Sequence, residues 1–362
     1  MKLLTLSSCV ILLAAVEASA AKLKVPSTYS TIQAAVNAAV PGDTVKVSSG
    51  TYYEHVDVNG KTDITIKGTG SDGVVIDAGG AGTPFTVQGS EGITVQDLTL
   101  KNSADSYGLA VVFSSDIVVD GCTVKEVSLA GILVLFCVDA RIEDSKVKDT
   151  DDDGIVLITA ACTVTGSTVK NVGGHGILVI GELNTIDSNT VENATESGIR
   201  LGEDPATCDN ALVIGNEIEG GTDGIYLDIT AMNCSILENS VEETSSEGIE
   251  IESGADGHLL DGNTIKSCAD DGMELNGTNL IISRNTVKKS GDDGIWLQSS
   301  ATGCLLYQNK SKKSGDNGFD VDGTGNSLVE NVGKKSDNYD LKDDNGAGAN
   351  AYTANTFSTV SP

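Results

Sequence analysis

The sequence predicts an all-β solenoid, one cylinder of about 10–12 coils of short parallel strands, closed at its N-terminal end by a short helix. Three observations predict it. A glycine followed by an apolar residue recurs at Gly108, Gly131, Gly154, Gly176, Gly198, Gly224, Gly248, Gly272, Gly294 and Gly318, in steps of 22 to 26 residues. Asn189, Asn216, Asn239, Asn263, Asn285, Asn309, Asn331 and Asn355 keep the same period. Two markers locked in phase describe one supersecondary unit repeated many times, each unable to bury its apolar face alone. Helical periodicity is missing except over Thr31 to Val40.

From the N-terminus, residues 1–20 read as a secretory signal: Lys2, an apolar run from Leu3 to Val16, and small residues Ala18-Ser19-Ala20 before the expected cut. The remainder, 21–362, reads as one domain. Residues 21–107 form the cap and first coils, 108–332 the regular coils and 333–362 a C-terminal cap. The segment TIQAAVNAAV is expected to lie as a helix across the first coil, whose open strand edge would otherwise invite aggregation. Each coil has room for three strands, as in GIYLD, SILENSV and the polar bend TSSE. The asparagines fit a bend where each amide bonds backbone and the amide one coil away. Upstream, Cys122, Ser145 and Ser167 hold that slot.

Composition narrows the function. The formal net charge of −29 argues against nucleic acid, whose neutralisation needs clustered cations. No later stretch is apolar for long enough to span a membrane. Beyond the signal lie seven cysteines, Cys122, Cys137, Cys162, Cys208, Cys234, Cys268 and Cys304. They read as buried free thiols, with a Cys208–Cys234 bridge as the minor alternative. An exported, monomeric chain is expected.

Alternation along each glycine-initiated strand places one residue per coil outward. These read Ala110, Leu133, Val156, Leu178, Arg200, Tyr226, Glu250, Glu274, Trp296 and Asp320. Just before each glycine runs a second column, Asp153, His175, Ser197, Asp223, Glu247, Asp271, Asp293 and Asn317. Together they suggest an exposed strip, apolar below and acidic above, for a linear polysaccharide. Arg200, Tyr226, Glu250, Glu274 and Trp296 are its candidate substrate contacts. Asp223, Glu247, Glu250, Asp271, Glu274 and Asp293 crowd like charges roughly 5 Å apart. Such oxygen-rich density suits Ca²⁺ as a cofactor. In a lyase or epimerase, Ca²⁺ or Arg200 would acidify the uronate α-proton, with His175 or Tyr226 as base or acid.

The pattern resembles the right-handed parallel β-helix superfamily, the pectate-lyase-like and polygalacturonase-like exported proteins, over nearly the whole mature chain. Its opening, TIQAAVNAAVPGDTVKVSSGTYYEHVDV, looks like that of many exported β-helix proteins acting on polysaccharides. Asp151-Asp152-Asp153-Gly154, then Gly173-Gly174-His175-Gly176, then Gly198-Ile199-Arg200 are similar to the polygalacturonase pattern. The resemblance implies Asp152 and Asp153 as acid and base, His175 tuning them and Arg200 holding a uronate carboxylate. It departs at Ser128-Leu129-Ala130, where a carboxylate is missing, and at Gly202, where a Lys would stand. The readings carried forward are a hydrolase, a lyase or epimerase, a non-catalytic binder of glycans or Ca²⁺, and a purely structural solenoid.

Overall fold

A computed structural model describes residues 20–69, 73–346 and 348–361. The expected signal lies outside the described residues apart from Ala20. The chain winds into three stacks of parallel strands. One is a 14-stranded sheet. The other two merge into a 28-stranded sheet, because residues Ile132–Glu143 run without a break through one corner and join them. A typical coil runs Ile225–Leu227, Ser235–Leu237 and Ser240–Glu242. Each strand pairs in parallel with its counterpart one coil on, Ile225 with Ile249, Ser235 with Leu259 and Ser240 with Thr264. The stacking reaches from Lys22–Val25 to Thr356–Phe357, beyond the glycine-marked coils at both ends.

The glycine marker has a steric cause. At Gly248 a Cβ would lie 2.3 Å from Ile265 Cγ2 and 2.5 Å from the carbonyl oxygen of Gly272. The same crowding, with the next marker glycine and a Val or Ile of the 14-stranded sheet, recurs at Gly131, Gly198 and Gly272. None of these glycines has a left-handed φ. Space, rather than backbone freedom, selects them.

The asparagine ladder forms as expected. Asn263 Oδ1 accepts the Asn239 N–H, while its Nδ2 donates to Ile236 O and Asn285 Oδ1 at 2.8–3.0 Å. It extends further than the asparagines do, because Ser167 and Ser145 hydroxyls accept the next N–H back to Cys122. A second, less regular ladder occupies another turn: Asn184 and Asn326 side chains accept the Cys162 and Cys304 N–H groups. His258 Nδ1 does the same for Cys234, and its buried Nε2 has no hydrogen-bond partner among the described residues.

Helix α1, Ile32–Ala38, covers the first coil with Ile32, Ala35 and Val36 buried. Thr31 caps it by accepting the Ala34 N–H, and Glu54 takes the N–H groups of Ile32 and Gln33. All seven cysteines are buried and free, Cys208 and Cys234 included.

Candidate functional site on the glycine face

The register of the glycine-initiated strands puts the predicted outward residues in one column. Leu178 pairs with Arg200, Arg200 with Tyr226, Tyr226 with Glu250, Glu250 with Glu274, Glu274 with Trp296 and Trp296 with Asp320. The lower part differs from an exposed strip. Leu133, Val156, Leu178 and Ile180 are buried in a second apolar cluster outside the main core, flanked by Tyr107, Leu135, Ile158 and Ala206. An open groove of about 670 Å³ lined by Phe136, Val138, Ile158, Ile180 and Ala206 adjoins it.

Outward polar groups are tied diagonally. Each reaches the residue two strand positions further along in the next coil. Arg200 donates to Asp228 at 2.9 Å, Tyr226 to Glu252 at 2.7 Å and Trp296 Nε1 to Asp322 at 3.0 Å, while Gln298 donates to Glu274. The Arg200 guanidinium also lies 5.0 Å from the Tyr226 ring centroid. Asp228, Glu252 and Asp322, two strand positions beyond the column read from the sequence, are the partners that fix its orientation. Glu250 is the outward carboxyl for which no hydrogen-bond partner occurs among the described residues.

The column before the glycines departs most from expectation. It was read as exposed, yet His175, Asp223, Glu247, Asp271 and Asp293 are between 3 and 8 % accessible. For His175, Asp271 and Asp293 the cause is a third ladder. Asp153 Oδ1 accepts the His175 N–H, His175 Nδ1 that of Ser197, Asp271 Oδ1 that of Asp293 and Asp293 Oδ1 that of Asn317. These side chains turn inward along the wall to satisfy the next coil's backbone.

That ladder consumes the constellation that resembled a hydrolase. Burial pushes the Asp153 carboxyl up to about 6 and the His175 imidazole down to about 4. A neutral His175 whose Nδ1 accepts carries its proton on Nε2, 2.9 Å from Glu196. Asp152 stays exposed beside them. Arg200, with Gly202 O and Asp228 as partners, is not a free carboxylate clamp.

The acidic half is different. Asp223, Glu247 and Glu250 bring ligand oxygens within 4.8 Å of one another, and so do Glu247, Asp271 and Glu274. The two triads share Glu247 and sit on successive coils. Desolvation, reinforced by neighbouring carboxylates, pushes Glu250 and Asp271 up to about 8 and Glu274 to about 7. Asp223 and Asp293 shift the same way, also led by burial. So many raised carboxyls either share protons or accept a cation.

Comparison with known proteins identifies the fold. A model of the right-handed beta helix region matches residues 159–310 and 224–358, more than half of the chain. The chain belongs to the right-handed β-helix family. A model of NosD, a periplasmic copper-binding protein, matches residues 36–206. A search of curated proteins finds no sequence relative.

Among solved structures, the A-module of Azotobacter vinelandii mannuronan C-5 epimerase AlgE6 superposes with a TM-score of 0.65 at 17 % identity, covering 91 % of this chain and 94 % of that one. The catalytic unit of an α-1,3-glucanase from Streptomyces thermodiastaticus gives 0.60 at 13 %, covering 91 % and 66 %. The receptor-binding tailspike of bacteriophage Det7 gives 0.64 at 16 %, covering 90 % and 77 %.

Copper does not fit the described residues. The carboxylate, His or Cys clusters able to hold a metal fall between Asp223 and Asp316, outside the NosD match, and offer only oxygen. Copper favours imidazole and sulfur. No helix among the described residues is long and apolar enough to cross a membrane.

Proposed function

We propose that this is an exported β-helix protein that holds a uronic-acid polysaccharide along its glycine face and modifies it by lyase or epimerase chemistry, with Ca²⁺ as cofactor. The observation that carries the reading is the pair of carboxylate triads sharing Glu247. Hard cations of this type take about six to eight oxygen ligands, with sugar carboxylates and water able to complete the set. Asp223, Glu247 and Glu250, and Glu247, Asp271 and Glu274, would hold it, with Asp293 one coil beyond. When bound it would neutralise a uronate carboxylate and make the neighbouring carbon-bound proton more acidic. The similarity to an epimerase module and to a glucanase supports a glycan-related role and the fold, not the bond attacked.

The remaining groups suit positioning. Trp296 offers a ring held by its own N–H, and the Arg200–Tyr226 pair a rigid platform on the apolar side. Glu250, for which no hydrogen-bond partner occurs among the described residues, is the triad carboxyl left free to hold the cation against substrate, and it gives up its proton when the cation binds. Diagonal pairing of the other outward groups favours a second reading, cation-dependent binding without turnover.

Incubation with polygalacturonate and with alginate, in Ca²⁺, separates these. The account expects ultraviolet-absorbing unsaturated ends or epimerised residues, with turnover reduced at least about 100-fold in Glu250→Gln through loss of the cation's stabilisation. Reducing ends without unsaturation would restore the hydrolase reading. Binding with no product would leave the non-catalytic one, and neither binding nor product would remove both.

A further inference from the structure

The composition hides a cationic wall. On the 14-stranded sheet one outward position per coil forms a single column through in-register pairing. It reads Lys101, Lys125, Lys148 and Lys170, then Glu192, Glu219 and Glu242, then Lys266, Lys288, Lys312 and Lys334. The two lysine blocks behave differently. In the first, Lys101 meets Asp77, Lys125 meets Glu126, Lys148 meets Asp149 and Lys170 meets Glu192. Lys266 opens the second block and is paired with Glu242.

Beyond it the pairing stops. Lys288, Lys312 and Lys334 are exposed, and so are Lys310 and the turn residues Lys289, Lys313 and Lys335. Among the described residues none of these seven forms an ion pair, although the protein carries a net charge of −29. Like charges directly opposite in a sheet are destabilising, and neighbouring coils are only about 4.8 Å apart. The turn lysines add a second cost. Lys289, Lys313 and Lys335 have φ of 61°, 65° and 65°. That left-handed region favours Gly or Asn. Earlier coils place Asn102, Asn171, Asn193 and Gly220 there, and also Glu126, Asp149, Glu243 and Ser267, but none places a lysine. Both repulsion and backbone preference oppose this arrangement, yet three successive coils carry it.

We propose that Lys288, Lys312 and Lys334, with Lys289, Lys313, Lys335 and Lys310 beside them, form a docking wall for a linear acidic polysaccharide lying along the solenoid axis. A straight row with one charge per coil suits a stretched polyanion. Screening over about 8–10 Å lets the local patch outweigh the distant net charge. The outward residues of these strands, Thr286, Lys310 and Val332, supply no aromatic ring. Single-stranded nucleic acid is usually held by base stacking on such rings. The wall is separate from the glycine face and does not depend on the activity assigned there.

The test is binding of polygalacturonate in the presence of a chelator, which removes any cation-dependent contribution of the glycine face. The triple variant Lys288→Gln/Lys312→Gln/Lys334→Gln should bind roughly tenfold or more weakly, and its affinity should depend less steeply on salt. Lys101→Gln/Lys125→Gln/Lys148→Gln, which removes the paired block, should change neither. Thermal unfolding confirms that both variants fold, with the single Lys312→Gln as substitute should the triple fail. Unchanged binding in the triple variant overturns the proposal. So does equal affinity for single-stranded DNA of matched charge or for anionic phospholipid vesicles, and so does charge-dependent self-association lost in the same variant.

Discussion

Gly248→Ala should destabilise the protein by about 3 kcal/mol, at the upper end of over-packing costs. The added methyl meets the Gly272 carbonyl at 2.5 Å as well as Ile265 at 2.3 Å. A side chain can rotate away, but the carbonyl belongs to the ladder, since Ile249 N–H donates to it. Relieving the clash therefore means separating two coils. Exposed Ser253→Ala, two residues past the Ile249–Ile251 strand, should stay within about 0.5 kcal/mol. Denaturant unfolding of the two variants measures the contrast. A Gly248→Ala protein as stable as the parent would mean that the marker glycines are not selected by space.

Without divalent cation, stability should fall as pH rises from about 4 to about 8, the reverse of ordinary acid denaturation. The sign follows from the raised carboxyls. Glu250 and Asp271 are pushed up to about 8, Glu274 to about 7 and Asp153 to about 6. In the unfolded chain such groups titrate near about 4. Between these limits the folded state holds more protons than the unfolded one, so each unit of pH increase favours unfolding. The stabilising contribution is complete below about pH 4 and lost as pH passes the folded values. Calcium should flatten the curve by replacing those protons. Thermal unfolding across the range, in chelator and in Ca²⁺, checks both statements. A midpoint that climbs with pH in chelator would contradict the burial and crowding assigned to these groups.

Much of this was legible in the residues because an in-register parallel stack converts period into position. Once the glycines fix the phase, Arg200, Tyr226, Glu250, Glu274 and Trp296 must fall into one column, and they do. The helix was legible too, from the apolar spacing of Ile32, Ala35 and Val36 behind the cap Thr31.

Burial of the column before the glycines was not legible. Alternation assigns faces within a strand, whereas Asp153, Asp271 and Asp293 stand at a bend and turn toward the next backbone N–H. Their spacing equals that of the asparagines, and that shared period was the available signal. The cationic wall escaped for another reason. A net charge sums over walls, and the unpaired lysines share one wall while most acids occupy others. The net charge, which weighs against nucleic acid, is silent on how the lysines are grouped.

The central claim is that Glu247 joins two cation-binding triads on the glycine face. Calorimetric titration of Ca²⁺ at pH 7, into the protein and into Glu247→Gln, tests it most directly. The account predicts saturable binding with dissociation constants on the order of millimolar or tighter, proton release on binding, stronger polyuronate retention in Ca²⁺ than in chelator, and loss of all three in Glu247→Gln. No binding at millimolar Ca²⁺, or a Glu247→Gln protein that binds it unchanged, would contradict the account.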